Sequence, residues 1–333
     1  MCPIDQRPQR TFEERLADFS PELNRFIRVA WSNRMAIDLQ HATQGADQLY
    51  HLYRGHIGGR QLDRQALQVF LDRMVNLAAG RHTFVQGGGE VTSLDDLADP
   101  DVLVSHRKLW KAFYHVGQGH GATKRVYVHA TDMAAGLRLM EAAAGWLDEI
   151  PGFLKIKICG PGAIDRNDTI VAYLDDQWAQ AELVRRFEAM LRQVPGLVAD
   201  RLPPTVRRVG VGLGIADEPP EFHVYNADKG KHSFGEFYAS ILWLALSTTP
   251  DCKLPTADGR HLLDNVLYVL RSLGVNPQVP HEFPDRERLV EFDRRFRAMG
   301  NQAVVAHPRP AARAPSVMQM IVPVRGVETL DMT

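Results

Sequence analysis

The chain has 333 residues, 45% hydrophobic and 24% charged, with a formal net charge of −1. That is the composition of a globular protein of one large or two ordinary domains, and the near-neutral charge removes a strong electrostatic case for nucleic acid or an anionic membrane as partner. No apolar run reaches the roughly 18 residues of a membrane helix, no CxxC pair links the three cysteines, and the opening MCPIDQRPQR lacks the apolar core of a secretory signal, so a cytoplasmic setting is expected.

In chain order, apolar residues at helical spacing (Phe12, Leu16, Phe19, Leu23, Phe26, Ile27) predict helix over 12–40, restarting at Pro21 with Ser20 as N-cap. A second helix is expected over 63–79, capped by Asp63 and ended by Gly80, followed by a small hairpin around the glycines 87–89. Residues 125–129 alternate and are rich in β-branched and aromatic side chains, predicting a strand, and Asp132 opens a helix to about 148. Strands follow at 153–159 and 169–174, then a helix at 177–193. Residues 195–232 are rich in Pro, Gly and charge and read as a long surface excursion. Further helices are expected at 233–246, 259–273 and 284–299, and the Pro/Ala/Arg-rich end reads as a loose tail that MIVPVRGV could pin back as an edge strand. The pattern predicts an α+β fold: a central mixed or antiparallel sheet flanked by helices, with helical N-terminal and C-terminal regions. The expected division is a helical region with hairpin at 1–100, an α+β core at 101–300 that forms one continuous domain with it, and a flexible tail at 301–333.

Lys155 and Lys157 alternate with Leu154, Ile156 and Ile158, so in an extended segment both ammonium groups share one face. Side by side they repel unless an anion lies over them. An isolated pair of this kind more often protects a strand edge from aggregation. Here the company changes the reading. His129 ends the preceding strand with Tyr127 and Arg125 on its face, Arg166 leads the following strand, and Tyr173 closes it. An arginine at a strand entrance usually pairs with a carboxylate, and Asp165 and Asp168 are at hand. Arg207 and Arg208 follow a Pro-Pro pair. Together these residues supply a base, an acid and guanidinium forks suited to two phosphate oxygens at once.

Other motifs are weaker. Gly117–Lys124 mimics a phosphate loop but precedes a strand and lacks the GxxxxGK[ST] spacing, so it reads as a flexible turn. His51 with His56, and His115 with His120, lack the i, i+4 spacing that puts two ligands on one helix face, and no GxSxG or HExxH is present.

These residues, in this order, resemble the HopA-type effector family. The matching features are the strand Arg125–His129 and the helix after it, Phe153–Lys157, Arg166–Leu174, the His232–Glu236 opening of an apolar helix, and the helix and turn Val269–Phe283. The resemblance covers most of residues 45–285. It implies kinship with bacterial phosphothreonine lyases and with stand-alone lyase components of class V lanthipeptide and thioamitide biosynthesis. There a kinase-like partner phosphorylates Ser or Thr of a precursor peptide, and the lyase eliminates phosphate to leave dehydroalanine or dehydrobutyrine. Carried over residue by residue, it implies Lys157 as general base and His129 as general acid. Lys155, Arg166 and one of Arg207 or Arg208 would hold phosphate, with Arg125 able to contribute, and Tyr127, Asp168 and Tyr173 would support them. No metal or cofactor is implied. Two positions depart from the pattern. Tyr127 stands where those lyases carry a lysine two residues before the histidine, and Tyr238 where an arginine commonly follows the SFG motif. The phosphate clamp would then be thinner, or built partly from Lys229, Lys231 or Arg125.

The chemistry explains the residue types. A peptide Cα–H is a very weak acid and phosphate leaves poorly as a trianion, so elimination needs a neutral amine, an acid at the bridging oxygen, and fixed cations. Crowding by Lys155 and Arg166 is expected to favour neutral Lys157. A bound phosphate dianion would favour protonated His129. Two alternatives remain: a translocated effector acting on host proteins, which the charged, serine-poor first forty residues argue against, and a non-catalytic subunit gripping a phosphorylated or leader peptide.

Overall fold

The computed structural model describes residues 10–55, 64–78, 82–86, 89–90, 110–115, 121–219, 233–283, 287, 290, 303–305 and 321–323. Its helices, in chain order, are α1 (Phe12–Leu16), α2 (Pro21–Ser32), α3 (Ala42–Tyr53), α4 (Arg64–Ala78), α5 (Met133–Trp146), α6 (Gln177–Gln193), α7 (Phe234–Ser247) and α8 (Gly259–Ser272). Its strands are β1 (His82–Gln86), β2 (Gly89–Glu90), β3 (Trp110–His115), β4 (Lys124–Val128), β5 (Phe153–Cys159), β6 (Ile170–Leu174), β7 (Arg207–Gly210), β8 (Leu213–Asp217), β9 (Ala303–Val305) and β10 (Ile321–Pro323). Among the described residues no helix is long and apolar enough to cross a membrane.

The chain forms two compact units, one of residues 54–218 and one combining 1–53 with 219–333. The boundaries expected near residues 100 and 300 do not coincide with this division. A helical run is read locally, whereas the partnership of the N-terminal helices with α7 and α8 joins residues more than 200 positions apart, as when Trp243 Nε1 donates to the Asp38 carbonyl at 2.8 Å.

The first unit is an α+β domain built on an eight-stranded sheet of order β2-β1-β3-β5-β6-β4-β8-β7. Every pairing in it is antiparallel, which settles the mixed-or-antiparallel alternative among the described residues. One face packs on helices. Val126 and Val128 of β4, Ile156 and Ile158 of β5, and Ile170, Ala172 and Leu174 of β6 form one buried core with Leu137, Met140 and Ala143 of α5, Leu183 and Phe187 of α6, and Phe70 and Met74 of α4. Each of the Val, Leu, Ile, Met and Phe side chains among them contributes about 1.5–3 kcal/mol by leaving water. The helix starts are set by short polar caps: Asp132 accepts from the Ala135 amide at 2.8 Å and Asp176 from the Ala179 amide at 2.7 Å.

Residues 195–219 correct the expected surface excursion, because they hold the β7–β8 hairpin. The turn needs Gly212, whose φ is +59°, and the glycines at 210, 212 and 214 mask the period-two signal of Leu213 and Ile215. Strand β3 has no counterpart in the sequence reading. Asp63, Gly80 and most of 284–299 lie outside the described residues. At the chain end, residues 321–323 of the MIVPVRGV segment pair with β9 in a separate two-stranded sheet, and the rest of 301–333 lies outside the described residues.

Among the described residues the second unit is helical apart from β9 and β10. Ser20 caps α2 as expected, accepting from the Leu23 amide at 3.2 Å, with Pro21 in the first turn. The approach of α3 to α7 is set by Gly45, where a Cβ would fall on the Asp38 carbonyl and the Trp243 ring. A capping box of Ser233 and Glu236 starts α7, which is buried almost all round.

Candidate active site

The sheet face opposite the helices carries the candidate residues. Because Val126, Val128 and Ala130 enter the helix-covered core, Arg125, Tyr127 and His129 alternate to the other side. Ile156 and Ile158 likewise send Lys155 and Lys157 there, and Ala172 and Leu174 send Val171 and Tyr173. The imidazole and both amines therefore share one face. Register fixes two rows across it. One runs Lys155–Tyr173–Arg125–Ala216, the next Lys157–Val171–Tyr127–Gly214–Arg208. His129 lies one step beyond Tyr127. With strands about 4.8 Å apart, Lys157 and His129 stand roughly 10 Å apart across the sheet and about 7 Å along it, before their side chains close the gap.

Tyr173 is the hub of one end. Lys155 Nζ lies 4.2 Å, Arg125 Cζ 4.9 Å and Lys157 Nζ 5.4 Å from its ring centroid, where the ring quadrupole attracts cations. Arg125 is clamped by Glu218, with Nη2 donating to Oε1 at 2.7 Å and Nε to Oε2, while its Nη1 donates to the Tyr127 hydroxyl at 3.1 Å. Burial opposes the Arg125 charge, but Glu218 outweighs it and holds the guanidinium firmly protonated. Burial pushes the Tyr127 phenol well above its ordinary value. Burial acts the same way on Tyr173, yet Lys157, Arg125 and Lys155 together hold that phenol below its ordinary value. Burial, then the Lys157 and Arg125 charges, push the Lys155 amine down.

Arg166 leads into β6 beside the end of β4 that carries His129, and is fork-to-fork with Asp168: Nε–Oδ1 and Nη2–Oδ2 are both 2.8 Å, and both residues are buried. The carboxylate partner expected for Arg166 is therefore Asp168. His129 is also here, 5% exposed, with a buried Nδ1 that has no hydrogen-bond partner among the described residues. Burial and then the Arg201 charge hold its pKa below 6.5, against the opposing pull of the Arg201 and Ala199 main chain and of Asp168. Burial pushes the thiol of Cys159, near Arg166 and Asp168, up to about 12.

Register separates the two arginines of β7. Arg208 opposes Gly214 and so shares the Tyr127 row, where it pairs with Asp200. Arg207 opposes Ile215, which packs against the helix-side core, so Arg207 belongs to the other face. Tyr238 is fully buried in the helical unit and donates its hydroxyl to the Pro280 carbonyl. Lys229 and Lys231 lie outside the described residues, as do the glycine-run residues 116–120.

Two contributors escaped the sequence reading. Glu218, which holds Arg125, directly follows β8, whose glycines concealed it. Arg201, the strongest charge acting on His129, sits in a Pro-rich stretch with no motif.

The HopA1 effector protein family matches residues 101–282, more than half of the chain and all of the residues just described. Two solved effector structures are similar in fold. The effector protein from Pseudomonas syringae pv. syringae strain 61 has a TM-score of 0.58 at 14% identity, over 78% of this chain and 96% of that one. The effector protein from Pseudomonas syringae pv. tomato strain DC3000 has a TM-score of 0.54, also at 14% identity, over 78% of this chain and 95% of that one. No curated protein matches the sequence. The chain belongs to the HopA1 effector protein family.

Proposed function

We propose that the protein is a phosphoserine/phosphothreonine lyase acting on a phosphorylated precursor peptide, beside a kinase-like partner, in class V lanthipeptide-type biosynthesis. The observation that carries this reading is the common face: Lys157, Lys155 and Arg125 gathered at Tyr173, with His129 on the same side two strands away from Lys157. Lys157 takes the Cα proton. The electron pair of that C–H bond becomes the Cα–Cβ π bond, the Cβ–O bond breaks, and the oxygen leaves with its pair as phosphate, receiving a proton from His129. Lys155 and Arg125 supply fixed positive charge as the leaving group develops its own. The low pKa of His129 means that unliganded protein holds the imidazole largely neutral near pH 7, so the phosphate dianion itself recruits the acid. No step calls for a metal or an organic cofactor.

A second reading is favoured by a specific observation. Arg125 and Arg166 are each already matched by a carboxylate, and tyrosine replaces lysine at 127, so neither arginine brings uncompensated charge to a phosphate. That suits a subunit that grips a phosphorylated peptide without eliminating. One experiment separates the two. Phosphoserine and phosphothreonine peptides are incubated with the protein and weighed by mass spectrometry. Loss of the elements of phosphoric acid, with a product that adds a thiol, supports the lyase. Loss of phosphate to leave the hydroxyl identifies a contaminating phosphatase, and binding with no mass change supports the gripping subunit.

A further inference from the structure

We propose that Arg201, which no motif marks, is the phosphate-contacting cation on the His129 side of the site; this rests on the phosphate-binding reading above. The main chain around Arg201 is strapped to the histidine itself. The Ala199 amide donates to the His129 carbonyl at 2.9 Å, and the Thr131 amide to the Leu197 carbonyl at 3.1 Å. Ala130 forms a β-bridge with Val198. Gly212 lies so close that a Cβ there would meet the Ala199 carbonyl at 2.6 Å and Val198 at 2.8 Å.

The stretch after Arg201 is held as tightly. Leu202 and Val206 cover Gly214, where a Cβ would come within 3.0 Å of both. Gly214 is in the Tyr127 row, so these two side chains wall the candidate face on its β8 side. Thr205 completes the turn at φ 73°, an uncommon backbone state for a β-branched residue, and is fully buried. Arg208 reaches back to Asp200. A loop fixed at so many points holds the main chain of Arg201 in one place beside the strand end that carries His129.

The guanidinium also differs from its neighbours in its commitments. Arg125 and Arg166 are engaged two-pronged by Glu218 and Asp168, whereas no side-chain hydrogen bond or ion pair holds Arg201 among the described residues, and the residue is exposed. The Arg201 charge disfavours an imidazolium at His129 unless an anion lies between them. A phosphate dianion resolves the conflict: it accepts two donors from the planar fork and favours the protonated imidazole that must release the bridging oxygen.

The test is an NMR titration of the His129 imidazole in the full chain with inorganic phosphate, with the signal assigned by its loss in His129→Asn. Parent, Arg201→Gln, Arg201→Lys and, as a control on an exposed helix face, Arg185→Gln are compared. The parent signal moves on phosphate addition. Arg201→Gln weakens the apparent phosphate affinity about tenfold or more and raises the His129 titration midpoint before any phosphate is added. Arg201→Lys falls between, and Arg185→Gln follows the parent. Equal phosphate affinity in parent and Arg201→Gln overturns the proposal, as does a parent signal that phosphate does not move. Failure of the lyase reading looks different: the parent binds phosphate through Arg201 yet eliminates it from no phosphopeptide.

Discussion

The two ends of the candidate face solve the burial of positive charge in different ways. At the Tyr173 end, Lys155, Lys157 and Arg125 gather around one aromatic ring, and Glu218 clamps Arg125. The outcome is a depressed amine at Lys155 and a depressed phenol at Tyr173. At the His129 end, the buried arginine is matched fork-to-fork by Asp168, and the imidazole is kept neutral by burial and by Arg201. One end gathers its cations on an aromatic ring, and the other pairs its buried arginine with a carboxylate and keeps an imidazole beside it. In the proposed elimination the first would steady the leaving phosphate, and the imidazole would charge when the substrate arrives.

The largest expected effects break the two ends separately. Lys157→Ala and His129→Asn should each slow phosphate elimination by about 10²–10⁴-fold, with phosphopeptide binding kept, as measured by single-turnover kinetics beside calorimetry. Next come the carboxylates. Glu218→Gln leaves Arg125 buried without its counter-charge, and Asp168→Asn does the same to Arg166. Each should lower unfolding free energy by about 3–5 kcal/mol in denaturant titrations. If Glu218→Gln proved neutral, the Tyr173 end would not depend on that clamp.

Smaller effects sharpen the picture of the His129 end. Thr205→Gly relieves a β-branched residue of its positive φ and should raise stability by about 1 kcal/mol; a loss would mean that the Thr205 side chain, whose hydroxyl donates to the Pro204 carbonyl, matters more than the backbone strain. The smallest effect concerns pH. His129 has a folded pKa below the unfolded value of 6.5, so the unfolded chain binds more protons as acid is added. The stability it contributes is whole above pH 6.5 and is lost as pH falls through 6.5 toward the folded value. His129→Asn should therefore flatten the fall in stability over that window. An unchanged slope would mean that other groups carry it.

Much of this arrangement was legible because alternation is a local signal. Lys155, Ile156, Lys157 and Ile158 state their two faces outright, and β6 and α6 were placed within a residue or so by the same reasoning. Alternation also puts Arg125 and Tyr127 on the face of His129, but that this is the face of the lysines needed the pairing of β5 with β6 and of β6 with β4. Signals carried by glycine were not legible. The run Val209 to Ile215 contains three glycines, which suggests loop, although Gly212 makes a turn and Gly214 makes room for Leu202 and Val206. Losing β7 and β8 hid Glu218 and blurred Arg207 with Arg208, since only pairing with Gly214 and Ile215 tells those two apart. The unit boundaries were out of reach for a different reason: no local pattern announces that α3 packs on α7.

The central claim, that Lys157 and His129 act on one phosphorylated side chain, is tested most directly by a double-mutant cycle on single-turnover elimination. The account predicts strong non-additivity: Lys157→Ala with His129→Asn is scarcely slower than the worse single variant, because either loss already disables the concerted step. Full additivity of the two losses, or elimination by both single variants at the parent rate, would contradict it.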